Sequence, residues 1–136
     1  MDLNDRRHYP VAQTLLDGIG AKGSWSDAVC VGPFVWIAGQ PGWDKRTGEL
    51  PAGLEAQAEQ AFENGKEVLE RVGATLADVV QLRAFLERAE YYPRYQAVYQ
   101  RHFPEDQPVR TSVVSSHVYP DMLIDFDVVA VKRSAA

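Results

Sequence analysis

An α+β fold, a mixed sheet with two helices packed on one of its faces, is what the sequence predicts. Three observations predict it. Runs with an apolar side chain at every second position lie towards both ends of the chain, the pattern of strands. Two central segments instead repeat apolar residues at helical spacing, as helices covering a sheet do. Glycine and proline fall between the segments, where the chain must turn.

Ser24 to Val31 and Phe34 to Gln40 read as a hairpin through Gly32-Pro33. Residues 43–49 are turn chemistry. From Leu54 to Val72 the apolar residues Leu54, Ala58, Ala61, Phe62, Val68, Leu69 and Val72 make one helical stripe, opposed by Glu55, Glu59, Glu63, Glu67 and Glu70, and Gly73 is a natural stop. Gly65 lies on that stripe. It weakens the helix by about 1 kcal/mol relative to alanine, yet lets the helix lie close on a sheet. Thr75 to Asp78 has the form of a capping box. Val79 to Leu86 alternates as a strand, with helix the alternative. Pro93 suits the first turn of a second helix carrying Tyr95, Val98, Tyr99 and Phe103. Val109 to Ser116 and roughly residues 122–132 close the chain as two strands. One domain over residues 1–136 is expected, with flexible ends at 1–12 and 132–136.

Composition limits the function. The net charge of -5 and pI near 5.1 argue against a nucleic-acid partner. Cys30 is the only cysteine, so no intramolecular disulfide can form, and it reads as a small buried hydrophobe. His8, His102 and His117 have no ligand spacing, so no metal is expected. The first residues are too polar for a secretory signal and no segment approaches membrane-spanning length, which makes a cytoplasmic location the expectation and excludes a membrane partner.

One arginine stands out. Arg110 opens a strand in which Val109, Thr111, Val113 and Ser115 make the less polar face, and Arg110, Ser112, Val114 and Ser116 the other. In the last strand Ile124, Phe126, Val128 and Ala130 suit the core, leaving Asp125 and Asp127 opposite. If the two strands form an antiparallel hairpin, joining core face to core face sets Arg110 across from both aspartates, on the sheet face away from the helices. The plain reading is a structural ion pair. Valines among the charges favour instead a sheltered face where the group meets another subunit or a ligand.

With these residues in view, the chain resembles the RidA/YjgF reactive-intermediate deaminases over nearly its whole length. The resemblance rests on Trp25-Ser-Asp-Ala-Val29, Ile37-Ala-Gly-Gln40, Thr47-Gly-Glu49, Glu55 to Ala61 continuing to Asn64, Tyr99 to Pro104, Pro108-Val-Arg-Thr111 and Ile124 to Ala130. It implies a chorismate-mutase-like fold and a homotrimer with sites between subunits. It also implies hydrolysis of enamines and imines of small carboxylates, such as 2-aminoacrylate, to a 2-oxo acid and ammonia, with no cofactor. By the same resemblance Arg110 clamps the substrate carboxylate and Asp125 positions the attacking water. Gly39 borders the pocket, the Ser112 carbonyl helps hold the water, Trp25 is the aromatic from a neighbouring chain, and Gln96 also lines the site. Asp125 stands where glutamate is usual, Trp25 for tyrosine, Gln96 for asparagine and Ser112 for cysteine. A non-catalytic carboxylate-binding trimer, or a hydrolase of a larger aminomuconate-like intermediate, are the alternatives these departures leave.

Overall fold

Six strands and three helices form in the computed structural model, which describes residues 1–133. In chain order they are β1 (Arg6–Pro10), α1 (Gln13–Ile19), β2 (Ser26–Val31), β3 (Phe34–Ile37), α2 (Leu54–Arg71), β4 (Val79–Leu86), α3 (Tyr92–His102), β5 (Val109–Val114) and β6 (Ile124–Val131). They build one mixed sheet in the order β1-β2-β3-β6-β4-β5. The expected α+β fold with helices α2 and α3 over one sheet face is what the chain adopts.

Alternation decides which way each strand faces. Ile124, Phe126, Val128 and Ala130 of β6 are buried beneath α2, as are Leu82, Ala84 and Leu86 of β4. Phe62 of α2 is fully buried and its ring lies 4.9 Å from that of Phe126. Gly65 lets the helix approach: a Cβ there would stand 2.5 Å from Phe126 Cζ. The capping box at Thr75 and Asp78 closes a short 3-10 turn that leads straight into β4. Cys30 is buried, and that burial pushes its thiol pKa up.

Two expectations fail. The first dozen residues are not a loose end: β1 pairs antiparallel with β2, and α1 follows. Val11, Leu15 and Leu16 form a second apolar cluster with Trp43 and Met122, flanked by Trp25 and Tyr119. At the other end the Lys132 amide donates to Pro33 at 2.8 Å, while residues 134–136 lie outside the described range. More consequential, β5 and β6 are not a hairpin. β4 lies between them, antiparallel to β6 and parallel to β5, with α3 as the crossover. A parallel neighbour needs a long connection, and the stretch from Glu87 to Pro108 supplies it.

Candidate active site

Paired positions across a sheet point to the same face. Ala28, Ile37, Val128, Leu82 and Arg110 therefore form one row, four apolar core residues ending in a guanidinium on the edge strand. Arg110 and Ser112 face the helices. The alternate row, Asp125, Phe85 and Val113, faces away from them. So Arg110 and Asp125 lie on opposite faces of the same sheet, and the expected facing of Arg110 with Asp125 and Asp127 does not exist within one chain. Asp127 is taken by Arg83 of β4, which donates from Nε at 2.9 Å and Nη2 at 2.7 Å. The valines misled the assignment: Val109 and Val113 lie on the face away from the helices and stay exposed.

Arg110 is half-buried and held by α3. Its Nη1 donates to Gln96 Oε1 and its Nη2 to Tyr92 Oη at 2.7 Å. Its Cζ lies 4.4 Å from the centre of the Tyr99 ring and 5.6 Å from those of Tyr92 and Tyr95, a cation against aromatic faces. Among the described residues every arginine except Arg6 and Arg110 has a carboxylate within 4.0 Å. Beside it, the buried Tyr95 Oη and Ser112 Oγ have no hydrogen-bond partner. Burial raises the Tyr95 phenol pKa, outweighing the downward pull of Ser112 and Arg110.

Asp125 occupies the second half. It lines a cavity of about 570 Å³ with Trp25, Gly39, Trp43, Phe85, His117 and Tyr119 among the walls. Its Oδ1 is buried without a partner. Burial, then the neighbouring Asp127 charge, push its pKa up to about 6, against weaker help from the Phe126 and Gln40 amides. Gly39 makes room for it. A Cβ at that position would meet Asp125 Oδ1 at 2.8 Å and Oδ2 at 2.9 Å. His117 has a buried, unpartnered Nε2, and burial lowers its pKa.

The profile of the family described as endoribonuclease L-PSP matches residues 16–132, nearly the whole chain. The chain belongs to this family, the RidA/YjgF proteins. It is 36% identical over 112 residues to a RutC family protein of Pyrococcus abyssi, covering 82% of this chain and 88% of that one. It is 37% identical over 92 residues to a 2-iminobutanoate/2-iminopropanoate deaminase of Dermatophagoides farinae, covering 67% of this chain and 72% of the relative. The crystal structure of RidA from an Antarctic Psychrobacter matches with a TM-score of 0.78 at 34% identity, covering 82% of this chain and 90% of that one.

Within this RidA/YjgF chain the six residues singled out from sequence fall into two groups. Trp25, Gly39 and Asp125 share the cavity, whereas Gln96, Arg110 and Ser112 share the α3–β5 side. The expectation that Trp25 joins the others from a neighbouring chain divides the set differently from the structure, because Trp25 precedes β2 and stands on the same side as Asp125.

Sequence reasoning missed the residues that hold these walls. Gln57 donates to the Pro51 and Asp121 carbonyls and accepts from the Leu123 amide at 2.9 Å, pinning the loop before β6. Asn64 donates to the Pro41 and Trp43 carbonyls. Gln40 donates to the buried Asp27 and to the Ala38 carbonyl. Polar residues on the apolar side of a helix were the available signal, since a buried amide must find partners. The tyrosines of α3 also frame Arg110. Glu59, Glu63 and His102 come close enough together to bound a cation, but Glu59 is already engaged by Arg101 and His102.

Proposed function

We propose that this RidA/YjgF protein hydrolyses enamine and imine forms of small 2-amino acids to the 2-oxo acid and ammonia, at sites completed by a second copy of the chain. The observation that carries this reading is Arg110: a half-buried guanidinium, framed by tyrosines and held by neutral partners, with no carboxylate of its own. A planar guanidinium so placed can give a substrate carboxylate two parallel charge-assisted bonds. The relative named as a deaminase supports the reaction class.

The carboxylate clamp and the cavity of Asp125 lie on opposite faces of one chain, so neither alone makes a site. The face away from the helices supports pairing with another copy. Trp36, Val109 and Val113 on it are 45%, 69% and 40% exposed, apolar surface of the kind that marks an interaction site. A homotrimer arranged head to tail presents Arg110 of one copy to the cavity of the next.

In such a site Arg110 and Gln96 fix the carboxylate and the enamine tautomerises to the imine. Asp125, ionised, takes a proton from a water while its oxygen bonds to the imine carbon. The tetrahedral adduct receives that proton on nitrogen; Asp125 then takes the hydroxyl proton and passes it to the same nitrogen, the carbon–nitrogen bond breaks, and ammonia leaves as the carbonyl forms. Such acid–base help contributes roughly 10²–10⁴-fold. Ser112 offers its carbonyl to the water, and Trp25 closes the cavity. The reaction asks for no cofactor or metal. The ribonuclease in the family's description finds no support in a chain of net charge -5.

The test intercepts 2-imino acids made in situ by an amino-acid oxidase with semicarbazide. The wild-type protein lowers the semicarbazone yield. Arg110→Ala forfeits a charged hydrogen-bonding clamp of ~1.5–3 kcal/mol, roughly a 10–100-fold loss in kcat/KM. Identical curves for the two proteins across several side chains sink the deaminase reading. Carboxylate binding without turnover assigns the protein a binding role instead.

A further inference from the structure

Resting on that reading, we propose that the cavity beside Asp125 is a side-chain subsite that selects imino acids with a bulky aromatic side chain over three- and four-carbon ones. Size is the first argument. The smallest imino acids have about six non-hydrogen atoms, and at roughly 30 Å³ each, the share of one water, they fill ~180 Å³. The cavity offers about 570 Å³, within the range of pockets that enclose much larger ligands. A small substrate together with the guanidinium group of a second copy, four further non-hydrogen atoms or ~120 Å³ by the same count, still leaves much of it to water.

The walls are the second argument. Trp25, Trp43, Phe85, Tyr119 and Met122 line part of the space, beside Ser115, Ser116 and the aspartates, and give it an aromatic wall suited to edge-to-face contact with another ring. Trp43 and Tyr119 already pack edge-on at 5.4 Å. Their positions are set from behind: Asn64 holds the Trp43 carbonyl, and Trp43 is buried in the cluster with Leu15 and Leu16. The aromatic wall is therefore preformed. An aromatic side chain entering it buries apolar surface that a methyl or ethyl group does not.

The experiment measures kcat/KM by semicarbazide interception on imines generated from alanine, leucine, phenylalanine, tyrosine and tryptophan. The expected result is a preference for the aromatic imines of tenfold or more over the alanine-derived one. Ser116→Trp places bulk in the cavity from an exposed position and lowers the aromatic-to-small ratio at least tenfold; Tyr119→Ala lowers it by removing a wall. Turnover that favours the alanine-derived imine, or ratios indifferent to Ser116→Trp and Tyr119→Ala, overturns the subsite while leaving the deaminase reading standing. Absence of turnover on every imine overturns both.

Discussion

Asp125 sits against the α-carbon of Gly39 with one oxygen unpartnered, and its chemistry follows from that crowding. A carboxyl with a folded pKa of about 6 against an ordinary 3.8 costs the fold about 3 kcal/mol once ionised. The sign is that of a raised acid. The cost is absent below the unfolded value, grows as pH rises towards 6, and is constant above. Asp125→Asn therefore stabilises the chain at pH 7.5 by ~1–3 kcal/mol and gains nothing at about pH 3, read by urea unfolding. In the proposed shared site a guanidinium brought by a second copy pulls the pKa down, so this gain is measured in the interface variant described below. For the wild type, kcat/KM rises with pH through an apparent pKa at or below about 6 and then levels, because the reaction uses the ionised form. Gly39→Ala forces the carboxyl aside and lowers turnover roughly 10²-fold. Inhibition by a simple carboxylate, which reports Arg110, changes far less.

At the scale of elements, helix α2 carries both the packing and the loops. Its apolar stripe, with Gly65 upon it, was legible from spacing alone, and the close approach to Phe126 is what the structure adds. Gly65→Ala overpacks that contact by more than the helix gains from alanine, a net loss of ~1–2 kcal/mol in urea unfolding. The exposed neighbour Lys66→Ala stays within about 0.5 kcal/mol. Strand β4 was equally legible in its bounds, and so was the capping box before it. Its partners were not. Nothing in Val79 to Leu86 says that β5 lies on one side and β6 on the other, since pairing is decided by the crossover through α3 and not by local pattern. Strand β1, with few apolar residues and one free edge, gave almost no alternation to read.

Over the whole molecule the apolar face away from the helices is the feature that a lone chain does not explain. Val29, Trp36, Val129, Gln81 and Val109 run across it as one row. Val113→Asp sets a charge in the row of Asp125 and Phe85 and, on the proposed shared-site reading, disrupts self-association through that face. Gel filtration with light scattering reads the result as a smaller species, and turnover falls with it because the two half-sites separate. A wild-type protein that is monomeric and fully active removes the shared-site reading.

The amino-acid sequence by itself determined the periodicities of the helices and most strands, because side-chain alternation and spacing are local properties, while the family and the residues of the candidate site were legible only through the resemblance of its motifs. Tertiary structure decided which face of the sheet each one occupies. The insertion of β4 between β5 and β6 carries Arg110 to the helix side and leaves Asp125 in a cavity on the other. Strand order depends on contacts between distant segments, and the valines that looked like core were surface, since an apolar pattern records burial without saying against what.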